Sequence, residues 1–194
     1  MRLFGSLYAL VYLLMLLAAF ILPFFSSESY TITQNSLSEL GAQATPGNWI
    51  MNLVFILLGV VTVLLGTKVL KRFWFPLYLL YFFALSLVLS AIYKHAPIDD
   101  VIFWEREHLL HSIFSFLAGT SFSAYCIAVI FVIKRKVDKA SAIFMFCLAI
   151  GLSLLMLQFP EFKGIFQRVL FITAFGWLFY SLVTFKFAKA LKKV

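Results

Sequence analysis

The sequence predicts an all-α membrane protein: one transmembrane domain over residues 1–194, built as a bundle of six spanning helices with both termini cytoplasmic. Three observations predict it. Of 194 residues, 63% are hydrophobic and only 12% are charged, with a mean hydropathy of +1.02. A soluble domain carries roughly 25% charged residues, so this chain has too little charge to cover a water-facing surface. Six apolar runs each reach the roughly 20 residues that a helix needs to cross a bilayer. The basic residues also collect on alternate loops, which sets a direction.

The spans are expected at about 3–25, 49–70, 74–93, 108–133, 140–159 and 165–185. The first begins behind Arg2 and contains Ala18 and Ala19, as a signal peptide can. Its apolar stretch runs on through Phe25, beyond the 7–15 residues of a signal h-region, so a retained helix is expected. Between spans one and two lies a long loop, about Ser26 to Asn48. There Ser36-Leu37-Ser38-Glu39 fits a capping box, Gly41 fits a helix C-cap, and Thr45-Pro46 reads as N-cap and first residue of the second span. Gly59, Gly66, Gly119, Gly151 and Gly176, all inside spans, predict close helix packing.

Twelve of the 16 basic residues fall on one side: Arg2, Lys68, Lys71, Arg72, Lys134, Arg135, Lys136, Lys139 and the tail lysines 186, 189, 192 and 193. Asp138 is the one acid with them. The other side holds Lys94, Arg106, Lys163 and Arg168 against Glu28, Glu39, Asp99, Asp100, Glu105, Glu107 and Glu161. The basic side is therefore read as cytoplasmic and the three acidic loops as outward. Trp49 and Trp104 at the outer boundary and Trp74 at the inner one agree. A pI near 9.6 is the usual footprint of nucleic-acid binding, but here the basic residues merely flank apolar spans. Membrane lipids, not nucleic acid, are the expected partners. Cys126 and Cys147 both lie inside spans and read as small buried hydrophobes, which excludes a disulfide framework.

Asn52, Ser86, Ser90, Ser112, Ser115, Ser153 and Gln158 lie in the outward halves of the spans, and the inward halves hold little beyond scattered Thr, Ser and Tyr. Polar groups at membrane depth face a bundle interior or a wet cavity, so the bias predicts a cavity opening outward. The three histidines, His95, His108 and His111, belong to the same region. His108 and His111 share a helix face, and Ser112 and Ser115 continue it one turn deeper. Three chemistries fit this patch. A general-base His111 can activate Ser115, with Asp99 or Glu107 orienting the ring. Imidazoles and a carboxylate can hold a metal. The groups can also simply hydrogen-bond one another at a helix start that favours acids. Glu107-His108-x-x-His111 differs from a zincin helix because its glutamate precedes the first histidine. No haem attachment motif is present, no cofactor is named by the sequence, and no tightly held transition metal is expected. Arg168 reads as a snorkelling boundary residue or as a planar clamp for a phosphate or carboxylate. Trp177 and Tyr180 read as packing.

Ser36-Leu37-Ser38-Glu39-Leu40-Gly41, Pro46, Asn52 and Gly59, then Pro97-x-Asp99, His111 and Gly164-x-x-Gln167-Arg168, together resemble the "domain of unknown function 998" membrane proteins of bacteria and archaea. The resemblance covers nearly the whole chain and implies a six-helix bundle in a bacterial or archaeal cytoplasmic membrane. It implies no activity. His95 and His108 are not part of the pattern.

The expected function is an outward-facing site that binds, and through its catalytic reading processes, a lipid-like or amphiphilic molecule. His111 is the base or ligand, Asp99 its orienter and Ser115 the nucleophile. Ser36, Glu39, Asn52, Gln167 and Arg168 would line the substrate side. The alternative is a non-catalytic scaffold or partner subunit. A small-solute conduit ranks lower, because its path needs polar residues in both halves.

Overall fold

The structure, a computed structural model, describes residues 2–99, 101–185 and 187. Asp100 and the tail lysines 186, 189, 192 and 193 lie outside the described residues. Among the described residues there are seven α-helices: α1 (Arg2–Ile21), α2 (Leu37–Leu40), α3 (Asn48–Leu70), α4 (Trp74–Ile92), α5 (Glu105–Ile130), α6 (Lys136–Gln158) and α7 (Lys163–Thr184). A 3₁₀ turn, Leu22–Phe25, extends α1, and a second, Pro160–Phe162, leads into α7. All but α2 are long and apolar enough to cross a membrane. Among the described residues the only β-type pairing is one isolated bridge, Ile133 with Phe187.

Helix starts differ from the sequence reading where a charged first turn precedes the apolar run. The fourth span begins at Glu105, three residues before His108, because Glu105 and Glu107 suit the positive end of a helix. The fifth begins at Lys136, with Asp138 in its first turn. Thr45 and Pro46 do not start α3. Gly47 precedes it in a left-handed conformation (φ 67°), and the first helical residue is Asn48. Two successive turns carry the chain in, Thr45 N–H to the Ala42 carbonyl and Asn48 N–H to that of Thr45, and the Asn48 amide also donates to Ala42 O at 2.8 Å.

The six long helices pack as a ring in which each touches its chain neighbour and α7 closes back on α1. Tyr8, Met15, Phe55, Leu58, Leu65, Leu80, Tyr125 and Phe175 fill its centre, while Phe116, Phe131, Phe144 and Leu157 face outward. Gly59 and Gly66 do permit close packing: a Cβ on Gly59 would lie 2.9 Å from the Ala84 carbonyl oxygen, and one on Gly66 would strike Leu80. At Gly119 and Gly151 the expectation fails, since a Cβ at either would meet nothing within 4 Å. These two glycines border open space, not a tight crossing.

Candidate functional site

The acidic loops gather at one end of the ring, and the first of them folds down onto the helices. Its centre is α2. Ser36 Oγ accepts the Glu39 N–H at 3.4 Å while the Glu39 carboxylate accepts the Ser36 N–H at 2.7 Å, completing the capping box. The buried start of this short helix is closed by Gln167 of α7, whose Oε1 accepts the N–H groups of Leu37 (2.6 Å) and Ser38 (3.4 Å). Lys163 meets Glu39 at 2.9 Å, and Asn35 donates to the same carboxylate. Burial pushes the Glu39 carboxyl up, but the Ser36 N–H and Lys163 outweigh it and hold the group below its ordinary range. Asn52 of α3 donates to the Gly41 carbonyl at 2.9 Å. Gly41 does sit at the C-cap, though at φ −95°. Its requirement is proximity, because a Cβ there would collide with the Asn52 amide.

Arg168 does not face lipid and offers no free clamp. It is 3% exposed, and its guanidinium donates to the carbonyls of Ala19, Ile32, Asn35 and Gly164 and to the Tyr30 hydroxyl. A buried charge needs such partners to be tolerated. Carbonyl dipoles of α1, the first loop and α7 surround the cation where a carboxylate would usually stand.

His111 is buried on α5 with Nδ1 2.6 Å from the Ser90 carbonyl oxygen and 2.9 Å from that of Tyr93. Carbonyls only accept, so Nδ1 carries the proton and Nε2 presents its lone pair. Ser115 Oγ stands 3.2 Å from that Nε2. The other two histidines do join His111 in space, with the His95 ring centroid 5.2 Å from that of His111 and 4.7 Å from that of His108. They do not form a ligand set. His108 Nδ1 accepts the Ala96 N–H, so its proton sits on Nε2 and no lone pair is left for a metal. No group of three His, Cys, Asp or Glu among the described residues is arranged to hold a metal ion. Burial pushes His95 down to about 4.

Asp99 stands apart. It turns outward to the hydroxyls of Ser27 and Ser29 in the first loop, and the Ser29 and Ser27 hydrogen bonds hold its carboxyl below the ordinary range. The orienting role expected of it is a correction: two main-chain carbonyls at the end of α4 already occupy His111 Nδ1. Gln43, unremarked in the sequence, ties the first acidic loop to the second. Its side chain receives the Trp104 N–H at 2.8 Å and donates to the Trp104 carbonyl at 3.0 Å, while its own N–H reaches His95 O. A lone glutamine in a polar loop gives no sequence signal of that kind.

Between α5 and α6 lies a cavity of ≈ 530 Å³. Its floor is Phe55, Phe83, Phe171 and Phe175, and Phe116, Leu154 and Leu157 border its side. The polar groups facing it are Ser38, Ser90, Ser115, Ser123, Ser153 and Gln167, with no charged residue. Ser115 and Gly119 are exposed along it, so the cavity is open laterally at the level of the spans. Of the residues expected in a site, Ser115 and Gln167 reach this cavity, with His111 directly behind Ser115. Ser36, Glu39, Asn52 and Arg168 hold the loop above it instead.

The sequence profile of the family described as "Protein of unknown function (DUF998)" matches residues 9–184. Neither a curated protein nor a solved structure matches the chain.

Proposed function

The chain belongs to the DUF998 family of membrane proteins, which brings no activity with it, and we propose that it takes a lipid-like or amphiphilic molecule from the bilayer into the cavity between α5 and α6. The carrying observation is the cavity's composition and opening. Its walls are aromatic and aliphatic, its few polar groups are hydroxyls and one amide, and it is accessible from the side at membrane depth. Apolar clefts of about 300–1,000 Å³ with a few placed polar groups are the usual form of small-molecule sites. A side opening suits a ligand that arrives through lipid. The asymmetry of basic residues supports placing the acidic end, and so the polar end of the site, outside the cytoplasmic membrane of a bacterium or archaeon.

The test is lipid extraction and mass spectrometry of the protein purified in nanodiscs. One amphiphile should accompany each chain, and Gly119→Leu should remove it. Because a Cβ at Gly119 meets open space, the variant should keep its melting temperature. Equal amphiphile recovery from both proteins would sink the reading, and so would a partner's transmembrane helix occupying the cavity.

A further inference from the structure

The serine and threonine hydroxyls of α5 follow one habit, with one exception. Ser112, Thr120, Ser121 and Ser123 each donate to a carbonyl three or four residues back in their own helix. This is the ordinary fate of a helical hydroxyl in an apolar setting. Ser115 departs from it. Its hydrogen bond is to His111 Nε2, at 3.2 Å. The tautomer that makes this possible is imposed from outside the helix, by the Ser90 and Tyr93 carbonyls on Nδ1–H. Ser115 is therefore a hydroxyl facing a ligand-sized cavity, aimed at a lone pair on an imidazole whose far side is held in place.

We propose that Ser115 is a nucleophile, with His111 as its general base, and that it cleaves long-chain carboxylic esters whose headgroup is uncharged. The inference rests on the amphiphile-binding reading above. Ser115 Oγ attacks the ester carbonyl carbon as its proton passes to His111 Nε2. The imidazolium so formed is stabilised by the two carbonyls on Nδ1–H, which do the orienting that a carboxylate does in a triad. The C–O bond to the alcohol breaks, Nε2–H returns its proton to the departing oxygen, and the acyl group remains on Oγ. Water then attacks the acyl-serine, giving its proton to Nε2. The carboxylic acid leaves and Oγ recovers a proton from Nε2–H.

The headgroup class follows from charge. No Lys or Arg faces the cavity, the Arg168 donors are taken up by carbonyls and Tyr30, and Lys163 is paired with Glu39. The polar groups left for a headgroup are neutral: the Ser38 hydroxyl and the Gln167 NH₂, whose Oε1 is already committed to α2. An anionic phosphate would enter with no cation to meet it.

The experiment uses full-length protein in nanodiscs with two probes, a long-chain alkyl fluorophosphonate and 1-oleoylglycerol. Intact mass and fragmentation should show one phosphonyl group per chain on Ser115, absent in Ser115→Ala and unchanged in Thr120→Ala. Labelling and oleate release should both fall about 100-fold or more in His111→Gln. Oleoyl lysophosphatidate should be cleaved at least tenfold more slowly than 1-oleoylglycerol, and equal rates overturn the headgroup assignment. If an amphiphile accompanies the purified protein but Ser115 takes no label, the nucleophile is refuted while the binding reading stands. If no amphiphile accompanies it and neither probe reacts, both fall.

Discussion

Arg168 donates to the Tyr30 hydroxyl at 2.5 Å, and the same guanidinium carbon lies 5.7 Å from the centre of the Tyr30 ring. One loop residue therefore receives a charge-assisted hydrogen bond and a cation–π contact from the last helix. Removing the arginine strands several buried carbonyls at once.

Arg168→Ala should cost about 3–5 kcal/mol, the range for leaving buried polar partners uncompensated. Thermal unfolding in detergent reads the loss, and limited proteolysis should show new cleavage within residues 26–47. Arg168→Lys should recover less than half, because three ammonium donors cannot reach acceptors spread around a planar fork. Full rescue by lysine would mean that charge alone matters.

Gly41→Ala should destabilise by about 1–3 kcal/mol through overpacking against Asn52. Asn52→Ala alone should cost about 1 kcal/mol for the lost bond to the Gly41 carbonyl. The double variant should cost clearly less than the two together, since removing the amide makes room for the new methyl. Simple additivity in the unfolding data would contradict the contact.

Acidification should weaken the fold through His95. Burial holds its folded form neutral down to about 4, whereas the unfolded side chain takes a proton near 6.5. The unfolded state thus binds more protons between those values, so stability is complete above 6.5 and falls as the pH drops toward 4. Melting temperature should decline between pH 7 and pH 5, and His95→Gln should flatten the decline. A pH-independent melting temperature in the parent protein would exclude a neutral, half-buried His95.

The direction of insertion is expected from the basic loops. In a background lacking Cys126 and Cys147, a cysteine at Ser29 should react with an impermeant maleimide in intact cells, and one at Lys136 only after lysis. Labelling at 136 in intact cells would invert the topology.

The spans were legible because lipid enforces about 20 apolar residues per crossing, a constraint written along the chain. The capping box was legible because its donors and acceptors lie within four residues of one another. Helix starts were less so, since hydropathy counts Glu105-Arg106-Glu107 and Lys136-Val137-Asp138 as loop although the backbone there is already helical. The pairing of Ser115 with His111 followed from helical spacing. What faces Arg168 did not. Its partners are mostly main-chain oxygens, which every residue carries, so the sequence shows a cation without showing which carbonyls converge on it. Asp99 misled for a related reason, since nearness in sequence to the histidines says nothing of where a loop turns.

The carbonyl of Ile32 waits for a side chain 136 residues further on. A ribosome adding roughly 5–20 residues per second leaves that interval on the order of ten seconds. Through it the first acidic loop has already been made but lacks the guanidinium and the Gln167 amide that fix its shape. Assembly of this end must therefore be the last act of synthesis, completed when α7 enters the bilayer and closes the ring. A chain arrested before Arg168 would hold most of its crossings and still lack the roof above its cavity, leaving the unfinished loop open to proteases.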